Sequence, residues 1–551
     1  MRKILLVLFC VSLPAIWYLV APGGYEPHDL HHLADIYEMR AAILSGQIPP
    51  RLGPDYLFGM GYPLFNFYYV LPFYLGAFFY ALTGSLMAGF KLVFLASVFV
   101  SLTGMYFLLR KFFGTWASTA GAILYLYTPF RAVEIYVRGA IGEALALAIL
   151  PWVLYFLVTL VLPAQSGKQT SKRNIAISAF VLVLFYLAHN YFFLLTAPFI
   201  LFFVAILIYF DKKRSKKIKA ILMTGALSAG LSAFWWLPAF AEYKLVASGT
   251  PFVLIDHFPF LKQLIVPSWG YGSSVWGPYD EISFQIGIAN LAVLALVVVI
   301  FLKQRKSKNI NFKISLLALL SFLVVVFMMN IRSLFIWNLI PFTNFIQFPW
   351  RLLTLTTFFT AFLAGFVVDN LGPKKLSAIL LATCSMLLVF FYFRPSKVTN
   401  KSDEEYVKHF FSNPQYSEDY LQLPLSASER STNAITQRFA IEKGQVVFEN
   451  EISKVRWKAE ISADEKSEVT ASVLNFPGWY VKVDGNTVET YPSDPYGQLT
   501  FGVDKGTHEI ELYWAETNLR LLADIISLLS LGVVLILILP RGIYRGAPDK
   551  T

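Results

Sequence analysis

The stretch GYEPHDLHHLADIYEMRAAILSGQIPPR, residues 24–51, crowds His28, Asp29, His31, His32 and Asp35 into one short run. Three chemistries fit that run. Asp29 as a helix N-cap needs no histidine neighbour. His28 and His32 stand four apart, as do His31 and Asp35, so on a helix either pair could grip a metal ion. No third ligand adjoins them, and the sequence assigns neither metal nor cofactor. In the third reading Asp29 is a general base that takes the proton of an acceptor hydroxyl, with His28 and His32 beside the substrate.

Four arginines complete the inventory: Arg51, Arg131, Arg138 and Arg351 each sit beside a hydrophobic run. Any one of them alone reads as an interfacial anchor whose head snorkels to water. Together they suit an anion, because guanidinium groups match phosphate with paired donors. Glu143 and Glu134 lie in the same segment as Arg138, and His189 with Asn190 marks a turn between two apolar runs. That pair reads either as a turn cap or as a substrate contact. His257, in VLIDHFPF, is a weaker candidate.

What positions these residues is a membrane. The 551-residue chain is 56% apolar and 17% aromatic, above the share of water-soluble domains, and apolar segments long enough to cross a bilayer recur along it. Its formal charge of +11 therefore speaks of charge sorting across a membrane rather than of nucleic acid. Cys10 and Cys384 both fall inside apolar runs and read as packing residues, with no disulfide framework. The first residues, MRKILLVLFCVSLPAIWYLVA, read as a retained signal anchor with a cytoplasmic start.

Basic clusters at Lys168/Lys172/Arg173, Lys212–Lys219, Lys303–Lys308, Lys374/Lys375 and Arg541/Arg545 mark cytoplasmic turns. Between them fall spans near 142–163, 174–189, 191–210, 220–240, 284–302, 312–329, 350–371, 376–394 and 519–540, and further spans precede residue 130. The count is about twelve, with both termini inside. Residues 22–87 then form one long external loop holding two membrane-surface helices. One is DLHHLADIYEMRAAILSG, with Leu30, Leu33, Tyr37, Ala41 and Leu44 on its apolar face, Asp29 as start and Gly46 as stop. The other is the aromatic segment 64–83, for which a true crossing is the alternative.

Residues 395–518 break the pattern, with 12 basic against 20 acidic side chains. KVRWKAEISA, EVTASVLNF, WYVKVDGNTVETY and THEIELYW alternate apolar and polar residues, and VDGNTV supplies a hairpin turn. The fold expected is a polytopic α-helical membrane domain (1–394), an extracytoplasmic β-sandwich (395–518) that binds sugar or caps the core, and a last span with a short cytoplasmic tail (519–551).

A long first external loop with an acidic residue soon after the first span resembles the GT-C superfamily of polytopic glycosyltransferases. More narrowly, the first-loop run from HDLHH to LPFYL, then FGTWASTAGAILYLYTPFRAVEIYVRGAIGEALALAILP, LAHN, QFPWRLL and FPGWYVKVDG are similar to bacterial membrane proteins called 6-pyruvoyl-tetrahydropterin synthase-related and to the YfhO glycosyltransferase family. The likeness runs over nearly the whole chain. It implies a GT-C-like fold and a sugar donated from a polyprenyl phosphate on the outer face of the cytoplasmic membrane to an envelope glycan or lipid acceptor. By the same resemblance Asp29 and Glu143, or less directly Glu134, match the acidic catalytic positions. Arg138 and Arg351, with Arg51, would hold the donor phosphate, and His28, His32, His189 and Asn190 the substrates. The WWDYG motif of the oligosaccharyltransferase branch is absent, so peptide acceptors and that branch's metal are not implied.

Two other functions fit the same features. A transporter or flippase of lipid-linked saccharides would use the arginines as a headgroup site, although transporters place polar groups at mid-membrane, and here the charges gather at helix ends. A non-catalytic envelope-assembly protein would make the β-domain the working part. Absence of G-x-G-x-x-G and P-loop patterns argues against a nucleotide site. Sugar, acceptor, anomeric outcome and oligomeric state are not encoded in any motif here.

Overall fold

The computed structural model describes residues 2–162, 171–209, 214–247, 253–307, 309–340, 343–412, 422–431 and 434–539. Lys168, Lys212, Lys308, Arg541 and Arg545, used above to sort charge, lie outside them. Long helices dominate: α1 Arg2–Val20, α2 His32–Leu44, α3 Leu71–Thr83, α4 Leu86–Leu109, α5 Thr115–Leu126, α6 Ile141–Val161, α7 Lys172–Ala188, α8 Asn190–Tyr209, α9 Arg214–Leu231, α10 Ala233–Glu242, α11 Ile288–Lys303, α12 Ile310–Met328, α13 Leu353–Asn370, α14 Lys374–Val389, α15 Asp403–Phe411 and α16 Asn518–Ile538. Among the described residues eight helices are long and apolar enough to cross a membrane. A ninth crossing results if α9 and α10, bent by 70° at Ser232, count as one. The single straight span expected over 220–240 is therefore broken. The twelve expected from charge sorting are reached only if α5, α7 and α11, of 12, 17 and 16 residues, also cross.

The centre of the bundle is α4, α5, α6 and α13. From Leu353 to Val368 every residue of α13 is buried, so this helix has no lipid face and its sequence shows no amphipathic stripe. Peripheral helices bury only a strip: α14 buries Ala378, Ser385 and Val389 and turns the rest outward. Cys10 and Cys384, expected to pack, are both exposed on such outer faces.

Loop one departs from the surface-helix expectation. α2 is not an amphipathic helix lying on a membrane: it buries His32, Leu33, Ala34, Asp35, Ile36, Glu38, Met39 and Ala42, packed between α3, α4 and α15, while Leu44 from the expected apolar face is 69% exposed. Its start also differs. The helix begins at His32 with His31 as N-cap, so Asp29 lies a turn upstream and caps nothing with its side chain. Gly46 does serve as the stop, at φ +94°, a left-handed conformation that glycine adopts without strain. The segment 64–83 contains α3, whose thirteen residues are too short for a bilayer.

A two-stranded ribbon joins β1 Gly24–Tyr25 to β2 Val398–Thr399, clamping loop one to the segment after α14. The C-terminal strands are β3 Phe439–Ile441, β4 Gly444–Ser453, β5 Arg456–Ala463, β6 Ser467–Leu474, β7 Trp479–Val483, β8 Asn486–Thr487, β9 Tyr491–Ser493, β10 Gln498–Val503 and β11 Gly506–Trp514. They form one sheet ordered β4-β5-β11-β7-β8 and a second ordered β3-β6-β10-β9. Phe439, Ile461, Val469, Val481, Phe501, Ile510 and Leu512 fill the space between, the alternating positions that the sequence marks as apolar. Asp484 at φ +52° and Gly485 at φ +82° make the hairpin turn read from VDGNTV. Leu52 of loop one inserts into this same core, and Arg438 donates to the Gly59 and Ser472 carbonyls at 2.9 and 2.5 Å. Loop one and the sandwich thus bury residues against each other on the side of the bundle where α6 and α13 begin.

Candidate functional site

Glu143 is the hub of the site. It occupies the first turn of α6, where a carboxylate is favoured by the helix dipole. One oxygen accepts from Arg351 Nε at 2.8 Å, and the other lies 2.9 Å from Arg138 Nη1. With both oxygens engaged by guanidiniums and the side chain 2% exposed, Glu143 orients the arginines and is poorly placed to move a proton itself.

Arg138 ends a π-helical turn, Val133–Arg138, closed by Gly139 at φ +71°. An added Cβ at Gly139 would come within 2.3 Å of Pro27, so the close approach of the Asp29 loop depends on glycine there. The loop is held by its backbone: the His28 and Asp29 amides donate to the Val137 and Arg138 carbonyls at 3.0 and 2.7 Å. Arg138 also bonds Glu134 at 2.8 Å, meets Asp29 at 3.5 Å and stacks over Trp350 at 4.9 Å. Arg351 sits in a short 3-10 turn ahead of α13, donates to the Ile346 carbonyl and Gln347, and lies over Phe348. Its Nη2 has no partner among the described residues. The aromatic shelf of Phe348 and Trp350 was contained in the QFPWRLL motif, but sequence reasoning gave those rings no role.

His189 is the single residue between α7 and α8. Its Nδ1 accepts the Phe192 amide at 3.1 Å, which leaves Nε2 as the protonated nitrogen, facing Glu143 at 3.8 Å. Burial pushes this imidazole down to about 3, against the pull of Glu143, so it is neutral near pH 7. Tyr69 stacks on it at 4.6 Å and reaches His32 Nε2 with its hydroxyl at 3.4 Å. Asn190 is buried beside it, its Oδ1 without a hydrogen-bond partner among the described residues.

Of the carboxylates at this end, Asp29 is the accessible one, at 27% side-chain exposure against 1% for Glu134 and 2% for Glu143. Desolvation raises the Asp29 pKa, but Arg138 with His32 and His31 outweighs it, and the group ends below its ordinary value. Glu134 goes the other way. Burial and the Glu143 charge push it up to about 8 despite Arg138.

The structure thus brings together Asp29, Arg138, Glu143, Arg351, His189 and Asn190. It does not bring Arg51, whose guanidinium is taken by Glu516 and Asp524 at 3.1 Å each and by the Phe234 carbonyl. This is a lock between loop one, α10 and the start of α16, with the Arg51 side chain buried away from any ligand. Arg131 is also set apart. It is fully buried and points into the bundle toward the Ala144 carbonyl and Ser101. His28 turns outward to the Tyr271 carbonyl at 2.7 Å, and His257 contacts Ser274 and Phe348, at the edge of the shelf.

A narrow apolar cleft, with a cavity volume of about 40 Å³, opens among α4, α6, α8, α12 and α13, lined by Leu150, Leu154, Phe199, Phe203, Leu355 and Phe358 among others. Leu355 lies one turn beyond Arg351 and Leu150 two turns beyond Glu143, roughly 10 Å along the helix. α6 and α13, whose first turns adjoin the ionic cluster, therefore also wall the cleft.

This is a polytopic helical membrane protein with a C-terminal β-domain and a buried arginine–carboxylate cluster under its first loop. Residues 65–396 match the family model described as the 6-pyruvoyl-tetrahydropterin synthase related domain, membrane protein, and the chain belongs to that family. Among solved structures it is similar to ArnT from Cupriavidus metallidurans. The apo form gives 15% identity and a TM-score of 0.41 over 69% of this chain and 63% of that one. The form bound to undecaprenyl phosphate gives 12% and 0.40, over 69% and 64%. The chain thus spans less than two thirds of the length of those structures. No curated protein matches it.

Proposed function

We propose that this protein is a membrane glycosyltransferase of GT-C type that moves a sugar from a polyprenyl-phosphate donor to an envelope acceptor on the extracytoplasmic face. The carrying observation is a guanidinium cluster at the entrance turns of two helices that also line an apolar cleft, a layout suited to a phosphate head with an apolar chain beside it. In this reading Arg138 and Arg351 turn their least engaged nitrogens to the donor phosphate, and Glu143 fixes their orientation. Asp29, at the accessible rim, accepts the proton of the attacking hydroxyl. The bond from the acceptor oxygen to the anomeric carbon forms, the bond to the phosphate oxygen breaks, and the electron pair leaves on a phosphate beside two cations.

The test incubates purified full-length protein with labelled polyprenyl-phosphate sugars and envelope glycan or lipid acceptors in vesicles. Label is expected to appear on an acceptor. If labelled lipid instead crosses the bilayer with no transfer, the protein is a transporter and the assignment fails.

A further inference from the structure

We propose that His31, His32 and Asp35 form a binding site for a divalent transition metal of the zinc class, next to the sugar-transfer site but independent of that assignment. In sequence the histidines and aspartates offered only pairs. The fold sends His28 away to the Tyr271 carbonyl and gathers a different trio, with one ligand atom from each of His31, His32 and Asp35 lying within 4.8 Å of one another.

Three features argue for a ligand set rather than a simple hydrogen-bonded pair. His32 Nδ1 and Asp35 Oδ2 are 3.1 Å apart, close to the separation of about 3.3 Å that two ligands adopt on a tetrahedral zinc ion. The far side of each group is already oriented. Tyr56 donates to the other Asp35 oxygen at 2.5 Å, and the Tyr69 hydroxyl stands 3.4 Å from His32 Nε2. Partners of this kind, on the nitrogen and oxygen that do not touch the ion, fix the ligating tautomer in metal sites. Finally, the His31 ring has no hydrogen-bond partner among the described residues and packs 4.3 Å from that of His32. It is the half-exposed member of an otherwise buried trio, so the ion would enter on its side.

Two imidazoles and one carboxylate suit zinc better than magnesium or calcium, and three protein ligands keep one coordination position open. The Tyr69 ring, stacked on His189, connects the trio to the Glu143 cluster.

The full-length protein, stripped with EDTA and dialysed against zinc chloride, is expected to retain about one zinc per chain by elemental analysis, as a single three-ligand site demands. Cobalt chloride is expected to give the visible bands of a four-coordinate site, and zinc to raise the melting temperature. His31→Ala removes a half-exposed ring that makes no hydrogen bond among the described residues and is expected to weaken zinc binding at least about tenfold, with Tyr56→Phe costing about tenfold through Asp35. His28→Ala leaves zinc content unchanged. Zinc well below one per chain in the unaltered protein, or equal loss in His28→Ala and His31→Ala, overturns the site. Sugar transfer is not part of this readout, so the two assignments fail separately.

Discussion

Individual side chains here are legible in type but not in partnership. Asp29, Glu143, Arg138 and Arg351 stand out from sequence because charge beside an apolar run is costly and so informative. What sequence leaves open is which charges meet. Arg51 and Arg351 look alike in the chain, yet Arg51 is consumed by Glu516 and Asp524, more than four hundred positions away. Glu134 supplies the sharpest residue-scale prediction. Its carboxyl is raised to about 8, so it is neutral below that pH and gains a charge above it, beside Arg138 and Glu143. A raised folded-state value means the stability it contributes is complete below its ordinary range and is lost as pH climbs toward 8. Donor KM is therefore expected to rise on the alkaline side, while Glu134→Gln flattens that limb. A wild-type profile that stays flat through pH 9 would remove Glu134 from the account.

At the scale of elements, the site depends on how α6 and α13 are pinned at their first turns. Glu143→Gln leaves two buried guanidiniums short of a counter-charge, and removing one partner of such a pair costs about 3–5 kcal/mol. A lower melting temperature in detergent is expected, together with weaker donor binding; unchanged thermal stability would show that α6 and α13 are held by other contacts. One residue earlier, an added Cβ at Gly142 would lie 2.5 Å from the Tyr69 ring. Gly142→Ala is expected to cost about 1–3 kcal/mol by overpacking and to loosen Tyr69 from His189, seen as a changed His189 chemical shift. The polytopic helical character and the alternating β-strands were readable from the chain, whereas the count of about twelve spans was not met by the eight or nine long apolar helices among the described residues. The π-helical turn at Val133–Arg138 and the break between α9 and α10 were not readable, because both are set by what packs around them. The same holds for α2: its local pattern suggests one apolar face, but tertiary cover from α3, α4 and α15 buries most of its surface.

Across the whole molecule, loop one is the shared part, lodged between the bundle and the sandwich. Leu52 in the β-core, Arg438 on the Gly59 carbonyl and Lys454 on Asp55 at 3.0 Å hold it from above, while β1–β2 ties its start. This favours the β-domain as a cap for the core, one of the two roles read from its composition. Leu52→Asp places a charge inside the sandwich and is expected to free loop one, with protease cleavage within 46–62 rising several-fold at constant expression. Cleavage confined to the strands would mean that loop one keeps its fold without the domain. The acidic C-terminal segment was recognisable from its charge balance, whereas its grip on loop one was not, because contacts across such sequence separation leave no local pattern.

The most direct test of the central claim is the rate of sugar transfer by Asp29→Asn at saturating donor, measured alongside donor affinity. The substitution keeps size and removes the base, so transfer is expected to fall about 10²–10⁴-fold while donor affinity is maintained. Transfer at the wild-type rate by Asp29→Asn would contradict the assignment of Asp29 as the proton acceptor.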